Sequence, residues 1–332
     1  MLLASIPRQA YLRAEMPVLF LIVACALWGL SFPVVKALHY EQTLRIPEAS
    51  SAFLAAWMQV GRFGLGALIL LPLLHRVRPT RRELRQGLLL ALWGGFGMAV
   101  QADGLAYTAA STSAFLTQAY CVILPLWACL RLRQWPTLRV VGATVLVMIG
   151  GAILAGLKPG DLRLGRGEIE TLVGACIFTF QILTLENPRY DGNRGLPVTF
   201  VMCTAIALLF IPIAWLLAPT SGAMIAAGAS WPAFALVAVL ALFCSVGAYL
   251  LMNIWQPRVS ATEAGLIYTI EPVFTAGYAL ALPAWLGGFV GASYPNETLT
   301  FSLVAGGSLI LAANVLMQWR RPPHDPSIAP AP

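Results

Sequence analysis

Ten apolar runs of helical length fill nearly the whole chain, at about 16–38, 52–74, 86–107, 111–130, 138–157, 168–186, 197–217, 232–254, 261–285 and 300–319. About 20 residues of α-helix cross the roughly 30 Å of bilayer hydrocarbon. Inside that layer every backbone polar group must be satisfied internally. The expected fold class is therefore an all-α integral membrane protein with ten transmembrane helices. Composition agrees, with 59% hydrophobic against 11% charged residues among 332 positions, far from a soluble domain. The connections between runs are short and leave no room for a soluble domain.

The charge pattern gives an orientation. With the N-terminus cytoplasmic, fifteen of the 21 Lys and Arg fall on the cytoplasmic side, among them Arg76, Arg78, Arg81, Arg82, Arg133, Arg189, Arg194 and Arg258. Arg45, Lys158, Arg163 and Arg166 fall opposite, while Lys36 and Arg62 belong to the runs. This asymmetry predicts both termini in the cytoplasm of a multi-pass protein of the plasma (cytoplasmic) membrane. The same rule accounts for the net charge of +7, so no nucleic-acid partner is expected. Trp135, Trp231, Trp255, Trp285 and Trp319 sit near run ends, as interfacial anchors do. The first run follows Arg8 and Arg13 as a signal peptide would, but it is too long for a typical h-region and reads as an uncleaved helix.

The six cysteines lie in or at the ends of apolar runs without C-x-x-C spacing, and the three histidines lie outside the runs, so no disulfide framework, metal site or cofactor is expected. A shift of 147 residues places Leu124-Pro125 on Glu271-Pro272, Ser113-Ala114 on Ser260-Ala261 and Phe96 on Phe243. Shifts of 151 and 164 place Ala24-Cys25 on Ala175-Cys176, and Gly142 and Thr144 on Gly306 and Ser308. The matches are sparse, and a longer loop from Gly287 to Glu297 absorbs the jump. Five runs per half is odd, so the halves 16–157 and 168–319 are expected as two five-helix repeats of inverted topology, a transporter architecture with its site near the midplane.

The chain resembles the EamA-like ten-helix members of the drug/metabolite transporter superfamily. The resemblance is carried by Leu27-Trp28-Gly29 through Lys36, Gly61-Arg62-Phe63, the stretch QADGLAYTAASTSAFLTQAYCVILPL from Gln101 to Leu126, SATEAGLIYTIEPVF from Ser260 to Phe274, and the small-residue last helix at Gly306-Gly307. It implies an exporter or exchanger of small metabolites working by alternating access, with substrates that include amino acids. Family halves commonly carry a Gly-Glu pair after the fourth helix. Here Leu132-Arg133-Gln134 and Asn296-Glu297 stand near those points.

Polar residues within the runs are the candidate site. Arg62 and Glu271 each lie about 15 Å along their helices, at 1.5 Å per residue, and so share a depth near the midplane. An intramembrane charge faces a partner or an aqueous cavity, so the two are either a structural ion pair or substrate contacts, with Glu271 also a candidate proton-coupling carboxylate. Pro272 frees the carbonyl of Tyr268, which can then face the pathway. Gln118 and Tyr120 are deep enough to bind ligand or to bond helices together. Trp28 and Trp93 could stack on a substrate, and Gln101 precedes the turn into the fourth run. Asp103 is expected to be solvated near the outer surface, and Lys36 to snorkel from the end of the first run. Thr80-x-x-Glu83 and Ser260-x-x-Glu263 fit capping boxes, and Glu168 and Glu170 open the sixth run, where the helix dipole favours negative charge.

The expected function is secondary-active export of a small polar or amphipathic metabolite, amino-acid-like and zwitterionic among the candidates, with the bilayer and coupling protons as partners. The alternatives are an intramembrane enzyme or a non-transporting receptor or subunit. No H-E-x-x-H, intramembrane histidine or paired aspartate supports an enzyme, and no G-x-x-x-x-G-K-[ST] loop supports an ATP-driven pump.

Overall fold

A computed structural model of the chain describes residues 8–74, 78–156, 164–185, 187–259, 264 and 267–318. Regular structure among these residues is helical throughout: α1 (Arg8–Arg45), α2 (Ser51–Leu74), α3 (Arg81–Gly104), α4 (Ala110–Thr117), α5 (Tyr120–Leu132), α6 (Leu138–Leu154), α7 (Arg166–Leu185), α8 (Gly195–Leu217), α9 (Ala223–Ala226), α10 (Trp231–Val239), α11 (Ala248–Trp255), α12 (Glu271–Ala281), α13 (Pro283–Val290) and α14 (Phe301–Gln318). A π-helical stretch, Leu240–Gly247, joins α10 to α11.

Among the described residues six helical stretches are long and apolar enough to cross a membrane, or seven if α12 and α13, which meet at 58°, form one span. This makes the chain a multi-pass helical membrane protein. Its surface is apolar where a bilayer would touch it: Leu68, Leu71, Leu130, Met148, Leu208 and Leu216 are all exposed, whereas Gln59, Arg62, Gln118, Thr171, Ser245 and Asn314 are buried. Polar residues inside and leucines outside fit a fold whose solvent is hydrocarbon.

Close helix contacts use glycine. A Cβ on Gly150 of α6 would lie 2.7 Å from the Gly306 carbonyl oxygen of α14, and one on Gly306 would lie 2.7 Å from the Gly150 oxygen. Small residues allow backbones to approach this closely, which supplies packing energy where lipid removes the hydrophobic drive. The α3–α7 interface does the same, with a Cβ on Gly167 falling 2.7 Å from the Gly104 oxygen. The start of α3 is fixed by its capping box, Thr80 accepting from the Glu83 amide while the Glu83 carboxylate accepts from the Thr80 amide.

Several expectations change. The first helix runs on to Arg45, so Lys36 lies well inside α1 and donates from Nζ to the Thr108 carbonyl instead of ending a span. The fourth and ninth runs each tighten for a turn. Gln118 and Ala119 donate to Phe115 and Leu116 at i−3, dividing α4 from α5. Ile270 and Val273 likewise donate to Ile267 and Ile270. Glu271 and Pro272 therefore begin α12 rather than sitting mid-helix, and proline there removes no helical hydrogen bond, because a first-turn N–H has no helical partner. Asp103 is not simply solvated: its Oδ2 pairs with Arg166 at 2.7 Å. Glu168 accepts from the Thr108 hydroxyl and Glu170 pairs with Arg166, so both have specific partners besides the helix dipole. The Ser260–Glu263 box and Trp319 lie outside the described residues.

Candidate functional site

A cavity of about 120 Å³ lies between helices from both ends of the sequence. From the first half come Trp28, Ser31 and Phe32 of α1, Arg62 of α2, Gln101 of α3, and Thr117 and Tyr120 of α4 and α5. From the second come Phe178 and Gln181 of α7, Tyr249 and Met252 of α11, Tyr268, and Glu271 of α12. Tyr120 and Glu271 are the first residues of α5 and α12, so each follows the tightened turn of its run.

Arg62 is 4% exposed. Its Nε donates to Ser245 Oγ at 2.8 Å and Nη2 to the Cys244 carbonyl at 3.4 Å, both on the π-helical stretch. The guanidinium also lies 5.1 Å from the ring centre of Phe63. Arg62 makes no ion pair with Glu271, and no hydrogen bond reaches the Glu271 carboxylate among the described residues. The two charges thus share the cavity wall without contact, which removes the ion-pair alternative in this conformation. Trp28 meets Tyr249 and Tyr268 edge to face, with ring centres 5.4 and 5.7 Å apart, giving the cavity an aromatic wall. Gln101 Nε2 donates to Thr117 Oγ1 at 2.6 Å, and Thr117 donates on to the Ser113 carbonyl.

Six of the expected residues, Arg62, Glu271, Tyr120, Tyr268, Trp28 and Gln101, come together here. Two do not. Gln118 is fully buried and joins helices: its Nε2 donates to the Tyr268 carbonyl and its Oε1 accepts from Asn314 of α14, each at 3.4 Å. The Tyr268 carbonyl is therefore occupied by Gln118. Trp93 packs on Phe180 at 5.2 Å, away from the cavity. Sequence reasoning missed Gln181, Tyr249, Thr117 and Ser31. Gln181 is a lone amide in the run FTFQILTL, a signal of the kind that singled out Gln118.

Both ends of the helix bundle carry polar networks. At one, Arg166 pairs with Asp103 and Glu170, donates to Tyr107 at 2.7 Å and covers the Tyr107 ring. At the other, Glu83 accepts from Arg194 Nε at 2.7 Å and Nη2 at 2.9 Å. That guanidinium holds the Glu83 carboxyl down at about 2. Arg82 donates to the Arg189 and Asp191 carbonyls.

Residues 15–156 match the model of the EamA-like transporter family. An "Uncharacterized transporter" of Archaeoglobus fulgidus is 25% identical over 300 residues, covering 90% of this chain and 85% of that one. A crystal structure described only as that of a protein superposes with a TM-score of 0.52 at 16% identity, over 88% of this chain and 95% of that one, a likeness of fold alone. Residues 15–156 are thus similar to the EamA-like transporter family, and the similarity to the archaeal protein runs over most of both chains.

Proposed function

We propose that the chain is a secondary-active carrier that exports a small polar or amphipathic metabolite by alternating access. Its moving parts are two five-helix halves of inverted topology, 16–157 and 168–319, each crossing the membrane five times. The observation that carries the reading is the cavity itself, walled by both halves and holding one guanidinium and one carboxylate that do not pair. A ligand bearing charge of either sign, or a zwitterion such as an amino acid, finds a counter-charge there.

The helix packing supports the inverted halves. Exchanging α1 with α7, α2 with α8, α3 with α10–α11, and α6 with α14 carries the main packed pairs into one another: α3 on α7 becomes α10–α11 on α1, while α2 on α8 and α6 on α14 map to themselves. The tightened turns before Tyr120 and near Glu271 also correspond, and discontinuous helices at midplane depth are where such carriers bind. The Arg194 and Arg166 networks lie at opposite ends, in keeping with the cytoplasmic assignment of Arg78, Arg82 and Arg194. No soluble domain that would hydrolyse ATP is found among the described residues, and a plasma-membrane location with proton coupling through Glu271 completes the proposal.

Purified protein in liposomes tests it. A metabolite panel should show flux without ATP, biased by a transmembrane gradient. Chemical conversion of a compound without flux would replace the reading by that of an enzyme, and binding without flux by that of a receptor.

A further inference from the structure

The environment of Arg62 is more specific than a buried charge requires. A guanidinium has five N–H donors in a rigid fork. Two are taken by Ser245 Oγ and the Cys244 carbonyl, and no acceptor takes the other three among the described residues. Arg62 lines the cavity, so a ligand there lies within reach of these donors.

The two residues that hold Arg62 both belong to the π-helical stretch Leu240–Gly247, which packs on α1 and α2. A π-turn inside an α-helix is rare, and such turns are frequent at functional sites. Here it brings a hydroxyl and a carbonyl to the inner edge of the guanidinium and fixes the ring of donors in place. Phe63 lies against the guanidinium, and Trp28, Tyr249 and Tyr268 form an apolar wall in the same cavity. A fixed fork beside an apolar wall suits a planar carboxylate on an apolar body, which guanidinium donors bind bidentately. A phosphate dianion fits less well, because one guanidinium supplies one charge and the neighbouring Glu271 repels the excess.

We propose that Arg62 is a carboxylate subsite whose orientation is set by Ser245 of the π-helical turn, so that the ligands of this cavity are small monocarboxylates with an aromatic or branched apolar body. The assignment rests on the carrier reading for its biological meaning, and on the cavity alone for its chemistry. Ser245 is a positioning residue: it acts through Arg62 and not on the ligand.

The test is binding to the full chain in detergent by thermal stabilisation, with benzoate, leucine and 4-methylpentanoate each set against its amide. Wild type should be stabilised by at least one carboxylate well beyond the matching amide. Arg62→Gln should erase that preference. Ser245→Ala should weaken carboxylate binding about tenfold, the scale of one charge-assisted hydrogen bond, while leaving amide binding unchanged, and Ser245→Thr should restore it. Amides binding as well as the acids in wild type would overturn the subsite. Equal weakening of acid and amide by Ser245→Ala would overturn the positioning role. Carboxylate preference without flux in liposomes would sink the carrier reading and leave the subsite standing.

Discussion

Replacing Arg62 and Glu271 singly and together separates a structural pair from two independent wall groups. In a buried ion pair the loss of one partner strands the other and costs about 3–5 kcal/mol, and losing both recovers much of it. The geometry argues otherwise, since neither residue is the other's partner. Arg62→Gln gives up the 2.8 Å bond to Ser245 and the 3.4 Å contact with the Cys244 carbonyl, of which the shorter is worth about 1.5–3 kcal/mol as a charged hydrogen bond. Removing an unpaired buried charge returns part of that. The expected net cost is within about 2 kcal/mol, and Glu271→Gln, whose carboxylate takes no side-chain hydrogen bond among the described residues, should cost less. The double mutant should then recover no more than about 1 kcal/mol relative to the sum of the singles. Equilibrium unfolding in mild detergent measures all four proteins, and liposome flux is followed in parallel. Single costs of 3 kcal/mol or more with recovery of most of it in the double mutant, together with restored flux, would refute the separated-wall argument.

Glu83 sets an acid limit: because its folded pKa, about 2, lies below the ordinary value of 4.5, the Arg194 bridge contributes fully above about pH 4.5 and is lost as pH falls towards 2. Glu83→Gln should lower stability at neutral pH and flatten the unfolding profile across that window, and an unchanged profile would show the bridge to be idle. Gly150→Leu should cost at least about 1–3 kcal/mol by overpacking, since its Cβ would meet the Gly306 carbonyl at 2.7 Å; an unfolding midpoint equal to wild type would mean that α6 and α14 do not pack this way. For orientation, single cysteines at Arg78 and Arg133 in a cysteine-free background should resist an impermeant thiol reagent in intact cells while one at Ser221 reacts, and the reverse pattern would invert the topology.

The existence of the helices was legible because hydrophobic length is a local property: α2, α7 and α8 begin and end within about two residues of their apolar runs. Interruptions were not. Leu240–Gly247 is as apolar as its neighbours, and nothing in its composition separates an i→i+5 turn from an α-helical one; α1 and α2 packed against it and Arg62 reaching across are tertiary contacts that no local pattern shows. For the same reason Ser245 could not be chosen from the sequence, where it is one hydroxyl among many.

The site residues divide by the same logic. Arg62 and Glu271 were legible as expensive groups in hydrocarbon, which narrows their possible surroundings to a partner or a cavity. Gln118 was legible as polar and deep, able to bind ligand or to bond helices together, but not as one rather than the other, because its role depends on residues far along the chain: Tyr268, whose carbonyl it meets, and Asn314, which meets it. That clamp joins the tightened fourth run, the segment before α12 and the last helix at one depth. It leaves Tyr120, two residues on, free to line the cavity. A polar residue that fixes the scaffold and one that faces the ligand can thus stand two positions apart in the same apolar run, and only the geometry of the distant partners tells them apart.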